Sequence, residues 1–186
     1  MNKKLLFLLA LLLGGNILYS QWQVQNYYPS YSSSSFISSS NTGWVCGTGV
    51  VRKTTNGGTT WSNQYPITTN SLNDIYFFDV NTGWVVGGAG GIYYTTNGGT
   101  NWTAQTTGVP SGLYSVNFLN SSTGVASGSA GKILKTTNGG AAWNVITFNS
   151  GAVVSLTMRN ASTVYAAQDN KFITSTNGGA NWSVTA

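Results

Sequence analysis

The sequence predicts an all-β fold, a β-propeller of four-stranded antiparallel blades, because one motif recurs four times and each interval holds four short strand-like runs. The motif reads Ser/Thr-Thr-Asn-Gly-Gly-x-x-Trp, and its asparagines at positions 56, 97, 138 and 177 are 41, 41 and 39 residues apart. A repeat of about 40 residues with four strands is typical of a propeller blade. Only 6% of the residues are charged, while Gly, Ser, Thr, Asn and aromatic residues are abundant, which favours strands and tight turns over helices.

The N-terminus has the pattern of a secretory signal peptide at residues 1–20. Lys3 and Lys4 form a basic start, and an unbroken apolar run from Leu5 to Leu13 follows. This run is shorter than the roughly 20 residues that a membrane-spanning helix needs. We therefore expect cleavage after Ser20 and a mature chain without a transmembrane segment, located in the periplasm, at the cell surface or outside the cell as a secreted protein.

The positions of the motif copies divide the chain into four blades, at residues 31–70, 71–110, 111–150 and 151–186, the last of them truncated. In the second blade the first three runs are Ile75 to Phe78, Trp84 to Val86 and Ile92 to Tyr94, and the fourth run starts at Trp102. The run from Trp84 to Val86 is apolar on both faces. This pattern indicates a strand packed between two neighbouring blades.

The number of outer strands predicts an incomplete ring. The segment Trp22-Gln23-Val24-Gln25 resembles Trp102-Thr103-Ala104-Gln105, so residues 21–30 are predicted to form an N-terminal outer strand. The fourth repeat already starts its own outer strand at Trp182. Five outer strands then face four sets of inner strands, and we expect further blades or a C-terminal domain that this chain lacks. The alternative is that Trp22 caps an edge and four blades close on their own.

The motif is predicted to form the turn between the third and fourth strands of each blade. Asn-Gly is the pair that a two-residue hairpin turn with positive φ favours, and the tryptophan is expected to begin the outer strand and cover the hairpin. A ligand site is rarely copied identically into every blade, so we interpret these residues as structural. They are Asn56, Gly57, Trp61, Asn97, Gly98, Trp102, Asn138, Gly139, Trp143, Asn177, Gly178 and Trp182.

This motif resembles the Asp-box, or bacterial neuraminidase, repeat, a Ser/Thr-x-Asp-x-Gly-x-x-Trp hairpin that has Asp where all four copies here have Asn. The fuller unit, Thr-Gly-Trp-Val-Val-Gly at residues 82–87 followed by Gly91-Ile92 and the motif, resembles the propeller repeat of the photosystem II assembly and stability factor family. The resemblance covers residues from about 36 to 186. It implies a propeller whose blade loops bind another protein, with a basic surface towards that partner.

Acidic and basic catalytic residues are too scarce for the common active sites. The sequence has no histidine and no glutamate, and its acids are Asp74, Asp79 and Asp169. A serine triad would lack its base, and a zinc site would lack imidazole and have one thiol, Cys46. We interpret Asp74 and Asp79 as turn and strand-end residues, too far apart for a glycosidase pair, and Asp169 as a hairpin tip. We expect no enzyme activity, metal or cofactor.

Basic residues in the strand before the motif are a possible partner-binding site, namely Arg52, Lys53 and Lys135. Lys53 and Lys135 lie three residues before the motif asparagine and Arg52 lies four before it, so Arg52 is expected on the opposite face of its strand. The alternative interpretation is a solvated strand edge. Loss of Lys3 and Lys4 with the signal peptide lowers the formal charge from +5 to +3, which does not predict nucleic-acid binding.

The family resemblance implies an exported, non-enzymatic scaffold or interaction module that binds another protein. Two alternatives stay open. One is a secreted glycan-binding or sialidase-like Asp-box protein whose catalytic residues lie on blades absent from this sequence. The other is an adhesive surface protein with a sorting domain beyond Ala186.

Overall fold

The computed structural model describes residues 30–64, 68 and 70–185. The predicted signal peptide at residues 1–20 lies outside the described residues, and so does the predicted N-terminal outer strand at residues 21–30 except for its last residue. Within the described part of the chain, no helix is long and apolar enough to cross a membrane.

Sixteen strands account for almost all of the regular structure in the described residues. Those of the first two blades are β1 (Tyr31–Phe36), β2 (Gly43–Gly47), β3 (Val50–Thr54), β4 (Ser62–Gln64), β5 (Leu72–Phe77), β6 (Gly83–Gly87), β7 (Ile92–Thr95) and β8 (Thr103–Gln105). Those of the last two are β9 (Leu113–Phe118), β10 (Gly124–Gly128), β11 (Lys132–Thr136), β12 (Asn144–Thr147), β13 (Val153–Met158), β14 (Val164–Gln168), β15 (Lys171–Ser175) and β16 (Ser183–Thr185). A single 3₁₀ turn at Gly88–Gly90 joins β6 to β7.

Each group of four consecutive strands forms one antiparallel sheet, with the strands in chain order across it. The first strands of successive sheets, β1, β5, β9 and β13, contact one another in turn. They are therefore the innermost strands, and the sheets radiate from them as blades. The predicted all-β propeller of four-stranded antiparallel blades is confirmed, as an open arc of blades.

Hydrophobic clusters hold the blades together at three seams, where the second and third strands of one blade meet the first strand of the next. Blade 1 joins blade 2 through Trp44, Cys46, Val51, Leu72, Ile75, Phe77 and Val85. Blade 2 joins blade 3 through Trp84, Val86, Ile92, Leu113, Val116, Phe118, Ala126 and Leu134. Blade 3 joins blade 4 through Val125, Ile133, Val153, Leu156, Met158, Val164, Ala166 and Ile173. Nearly the same strand positions form each of the three clusters. We call the side of a blade that meets the next blade its downstream face, and the opposite side its upstream face.

The two end faces of the arc carry aromatic side chains without a neighbouring blade. On the upstream face of blade 1, Phe36 is 52% exposed, whereas Phe77 and Phe118 at the same strand position are 4% and 2% exposed. On the downstream face of blade 4, Phe172 is 52% exposed, whereas the equivalent Ile133 is fully buried. The described part of the chain thus ends in two apolar surfaces of the kind that its own seams cover.

Candidate functional site

The four motif loops have one hydrogen-bond pattern, which the loop of blade 1 illustrates. The Thr54 hydroxyl accepts from the N–H groups of Asn56 and Gly58 at 3.3 and 2.9 Å and donates to Asn56 Oδ1 at 2.9 Å. That Oδ1 atom also accepts from Thr60 N at 2.9 Å. In blade 4 a serine, Ser175, takes the place of the threonine and makes the same bonds. The motif asparagines are therefore engaged within their own loops.

The motif does not form the two-residue hairpin that Asn-Gly predicts. Seven residues, 55–61, connect β3 to β4, and the positive φ angles belong to Gly57 and Gly58, at 67° and 91°, with Asn56 outside that region. The asparagine instead closes the loop through its side chain, whose Oδ1 atom accepts hydrogen bonds. This position therefore requires a side-chain oxygen acceptor and not a left-handed backbone conformation. The prediction of a chain reversal here was right, but its geometry was wrong.

The motif tryptophans directly precede the outer strands, which begin one residue later than predicted, and their N–H groups are used differently. Trp61 and Trp182 donate to the second glycine of their own loops, Gly58 and Gly179, at 3.1 and 3.0 Å. Trp143 donates to the side chain of Gln105 in the preceding blade at 3.2 Å, and Trp102 has a buried Nε1 without a partner in the described residues. The structural role predicted for these indoles stays a prediction.

Sequence reasoning missed two tryptophans that link one blade to the next. Trp44 in β2 and Trp84 in β6 are fully buried. They donate to the carbonyl oxygens of Gly98 and Gly139, in the motif loop of the following blade, at 3.0 and 3.1 Å. The Thr-Gly-Trp sequence at the start of the second strand in blades 1 and 2 was the available signal, but the partner lies more than 50 residues away.

The interpretation of Asp74 as a strand-end residue is wrong, because it lies inside β5 and connects three blades. Its carboxylate accepts from Ser33 Oγ of blade 1 at 2.6 Å and from Ile75 N at 2.9 Å. It also accepts from Ser115 Oγ and Val116 N of blade 3, at 3.2 and 2.9 Å. Each polar donor around the carboxylate is on an innermost strand, so Asp74 holds the arc together near its axis.

The other two acids have the local roles that the sequence predicts. Asp79 accepts from the N–H groups of Asn81 and Thr82 at 2.7 and 2.8 Å, and it thereby fixes the turn after β5. Asp169 occupies the tip of the hairpin between β14 and β15 with a φ of 49°. No carboxylate of the described residues faces a second one in the manner of a glycosidase.

Lys53, the first of the predicted partner-binding residues, lies over the seam between blades 1 and 2. Its ammonium nitrogen is 5.3 Å from the centroid of the Trp44 ring, a distance at which a cation and an aromatic face attract each other. A methyl group built on Gly98 would lie 2.5 Å from the same nitrogen, so Lys53 reaches the motif loop of the next blade. Partial burial lowers the pKa of Lys53 from its usual value.

Lys135 takes the same position two blades further on. A methyl group built on Gly178 in the motif loop of blade 4 would lie 2.8 Å from its ammonium nitrogen. An open cleft of about 360 Å³ crosses this seam, and its lining consists of Lys135, Thr137, Asn138, Ala142, Asn144, Ile146 and Ala180. Lys53 and Lys135 therefore point to motif loops at one end of the blades, which we call the motif end.

Arg52 does not join the two lysines. As expected from the strand alternation, it lies on the opposite face of β3, where its guanidinium carbon is 5.8 Å from the centroid of the Tyr31 ring. This is the open upstream face of blade 1. Its Nε atom is buried without a hydrogen-bond partner in the described residues.

The motif end is the best candidate for a binding surface, because it combines two ammonium groups with four polar loops. The loops between the first and second strands lie beside the motif loops there, since Gly57 N donates to Asn41 O at 2.9 Å and Gly98 N to Asn81 O at 2.8 Å. Among the residues that the structure describes, no group of three acidic, histidine or cysteine side chains could hold a metal ion. The surface can offer hydrogen bonds and positive charge.

Cys46 is buried in β2, where it packs in the first seam. Burial, reinforced by the nearby Asp74 carboxylate, raises the pKa of the Cys46 thiol from 9.0 to about 12. The thiol is therefore protonated at neutral pH, and a thiol in this state is a poor nucleophile.

Comparison with known proteins gives one family match. A family model described as Photosynthesis system II assembly factor YCF48 matches residues 18–186. A search of the curated proteins gave no significant match.

Solved propellers from two functional groups resemble the arc. YCF48 from Cyanidioschyzon merolae is 22% identical, with a TM-score of 0.66 over 83% of this chain and 55% of that one. YCF48 bound to a D1 peptide is 23% identical, with a TM-score of 0.61 over 82% and 52%. An ancestral GH74 enzyme is 22% identical, with a TM-score of 0.73 over 84% and 24%. The chain thus spans from about a quarter to about half the length of these relatives.

Proposed function

The chain belongs to the family of the photosynthesis system II assembly factor YCF48, and from this premise we propose that it is a non-enzymatic interaction module that binds another protein at its motif end. The single observation that carries the proposal is the placement of Lys53 and Lys135 over two seams at the end that bears the motif loops. A YCF48 has been solved with a D1 peptide, which supports a protein segment as the partner.

Charge favours a partner that presents carboxylates at this end. The two carboxylates nearest to the seams are already engaged, that of Asp74 among the innermost strands and that of Asp79 in its own turn. The ammonium groups of Lys53 and Lys135 are therefore available to an external acceptor. A charged contact at the rim of an interface contributes mainly to the association rate and to its salt dependence.

The proposal also includes export of the protein and completion of its propeller beyond the four described blades. The basic and apolar pattern of residues 1–20 supports export to the periplasm, the cell surface or the medium. The exposed Phe36 and Phe172 on the two end faces support completion of the propeller by further blades of the same repeat or by a C-terminal domain.

A binding titration with charge-matched variants tests the motif end. A fluorescein-labelled D1 peptide is titrated with the wild-type chain, with the double variant K53E/K135E and with the control K132E/K171E. The control changes the net charge equally but acts away from the motif end, since Lys132 and Lys171 lie where β11 and β15 begin and Lys132 bonds to Thr147. We expect the first variant to weaken binding about tenfold or more, and the control to change it less than about twofold. Equal losses, or no binding by the wild type, would contradict the proposal.

A carbohydrate role is the second candidate, because a GH74 enzyme shares the propeller fold. A glycoside hydrolase needs two cooperating carboxylates or, in sialidases, a tyrosine nucleophile. Incubation with a fluorogenic sialoside and with immobilised glycans separates the two candidates. The interaction-module proposal expects neither hydrolysis nor retention on the glycans.

A further inference from the structure

We propose that the third seam, between blades 3 and 4, binds an indole side chain of the partner in the cleft beside Lys135. This inference rests on the proposed function, which places the partner at the motif end, and it names the side chain that the partner inserts there. It follows from a comparison of the third seam with the first two, where the chain supplies an indole of its own.

At the first two seams, a tryptophan of one blade donates to the motif loop of the next. Trp44 Nε1 lies 3.0 Å from Gly98 O, and Trp84 Nε1 lies 3.1 Å from Gly139 O. At the second seam Gln105, in the outer strand, donates to the same carbonyl through Nε2 at 2.9 Å. The carbonyl oxygen of the first motif glycine is therefore an acceptor for side chains of the preceding blade.

The third seam lacks both of these donors. Strand registers place Val125 where the two tryptophans lie, and Ile146 where Gln105 lies. Neither side chain has a donor group. Gly178, the first glycine of the motif in blade 4, is buried, and its carbonyl oxygen accepts no hydrogen bond within the described residues. A buried carbonyl without a donor costs free energy, so this oxygen favours an occupant that brings an N–H group.

The ammonium group of Lys135 is the second feature that an indole satisfies. At the first seam the equivalent residue, Lys53, lies 5.3 Å from the ring centroid of Trp44. Lys135 has no such ring beside it, because Val125 takes the place of the tryptophan. In the described part of the chain, its ammonium group also has no hydrogen-bond acceptor and no paired carboxylate. Of the aromatic side chains, an indole attracts an ammonium group most strongly.

The cleft at this seam has the size and the lining for such a side chain. Its volume of about 360 Å³ is at the lower end of the range that small-molecule sites span. Apolar groups of Ala142, Ile146 and Ala180 line it together with the ammonium group of Lys135. Gly178 adjoins it there, since a methyl group built on that glycine would lie 2.8 Å from Lys135 Nζ. An indole, which has an apolar body and one N–H donor, matches these surroundings.

A carboxylate is the alternative occupant beside Lys135. It would pair with the ammonium group, but it would leave Gly178 O without a donor and would bring a second acceptor towards that oxygen. The indole is favoured because its face meets the ammonium group while its N–H group meets the carbonyl. The experiment below includes a carboxylate probe, so that the two occupants are compared directly.

Titration of the ¹⁵N-labelled chain with N-acetyltryptophanamide tests the inference, because this probe carries an indole and no charge. Two-dimensional amide spectra are expected to show shifts confined to the cleft, at Gly178 and Ala180 among others, with a dissociation constant of about 1 mM. The 1-methyl derivative of the probe lacks the indole N–H and should bind about fivefold more weakly. N-acetylglutamate amide, the carboxylate probe, should bind more weakly than the indole probe.

Two pairs of matched variants locate the site. Lys135→Gln should weaken binding of the indole probe about threefold, whereas Lys132→Gln changes the charge equally on the opposite face of β11 and should leave binding unchanged. Ile146→Gln restores the donor that Gln105 supplies at the second seam, and it should reduce binding about fivefold or more. Its control is Val145→Gln, because Val145 is exposed on the other face of β12. The spectrum of each free variant shows whether it is folded, and the two pairs test the site independently.

Four results would each overturn the inference. They are no shifts with the indole probe up to about 10 mM, shifts that lie away from the third seam, equal binding of the 1-methyl derivative, and tighter binding of the carboxylate probe. The D1 peptide titration reports separately on the proposed function. If K53E/K135E weakens peptide binding but the indole probe does not bind, the proposed function stands and this inference fails. If the indole probe binds at the third seam but K53E/K135E leaves peptide binding unchanged, the proposed function fails instead.

Discussion

The indole of Trp44 lies flat on the ring of Phe77 in the next blade, with 3.5 Å between ring centroids and 4° between planes. Its N–H group also reaches the motif loop of that blade at Gly98 O. A single side chain therefore fixes both the inner strand and the outer loop of its neighbour. Trp84 and Phe118 repeat the stack at the second seam, and the predictions below follow from such contacts.

Replacement of Trp84 is expected to destabilise the arc more than replacement of a tryptophan on an open face. Trp84→Ala removes a fully buried indole and should lower the free energy of unfolding by about 3–5 kcal/mol. Trp84→Phe keeps a stacked ring but removes one of the two donors to Gly139 O, which retains the bond from Gln105 Nε2, so the change should cost about 0.5–1.5 kcal/mol. Urea denaturation measures both values. The control is Trp61→Ala, because Trp61 is half-buried on the open upstream face of blade 1. An equal loss of unfolding free energy in this variant would contradict the stabilising role of the Trp84 contact at the seam.

Asp74→Ala is expected to be far more costly than Asp79→Ala. The first change leaves the N–H groups of Ile75 and Val116 and two serine hydroxyls without their acceptor near the axis, for a loss of about 2–4 kcal/mol. The second removes two bonds in an exposed turn, for about 1 kcal/mol. The difference between the two in urea denaturation reports on the contact between three blades. Equal effects would place the two carboxylates in similar roles.

Alanine at equivalent motif glycines should give unequal effects. Gly57 and Gly98 both have a φ of 67°, so alanine is strained at each by about 1–2 kcal/mol. The added methyl group meets no atom closer than 3.9 Å at Gly57, but it would lie 2.5 Å from Lys53 Nζ and 2.7 Å from Val80 O at Gly98. Gly98→Ala should therefore lose about 1–3 kcal/mol more than Gly57→Ala in thermal or urea unfolding. Equal losses would show that the Gly98 loop does not lie against Val80 O and Lys53 Nζ.

The Cys46 thiol should be unreactive in the folded chain and should make stability depend on alkaline pH. Its pKa of about 12, against 9.0 when unperturbed, means that the unfolded state loses the proton first. The contribution is present in full below about pH 9 and is lost as the pH rises towards 12. Cys46→Ala should therefore lose less stability than the wild type over that range. Fast modification by a thiol reagent at pH 8 without denaturant would contradict the burial.

Local signals in the sequence were sufficient to predict the strands, the repeat and the chain reversal at each motif. The alternation of short apolar runs with Thr-Gly and Asn-Gly turns reflects interactions within one blade, which lie close together along the chain. The spacing of Lys53, Lys135 and Arg52 from the motif asparagine also predicted correctly on which face of the strand each side chain lies, because side chains alternate regularly along a strand.

Contacts between blades could not be predicted in the same way. The partners of Asp74 and Trp84 lie 41 to 55 residues away, and nothing in their neighbouring residues indicates them. The loop at Asn56 was mispredicted for another reason, since Asn-Gly is common in two-residue turns but the second glycine, Gly58, lengthens this one. Whether Lys53 and Lys135 bind a partner stays a prediction.

The central claim is that the first two seams repeat one contact, in which a second-strand tryptophan stacks on a first-strand phenylalanine of the next blade. A two-dimensional NOE spectrum of the chain with labelled tryptophan tests this contact most directly at Trp44. We expect cross-peaks from its indole protons to the ring of Phe77 and from its N–H proton to the α protons of Gly99, whose added methyl group would lie 3.5 Å from Trp44 Nε1. An indole N–H that exchanges rapidly with water and gives no cross-peak to blade 2 would contradict the account.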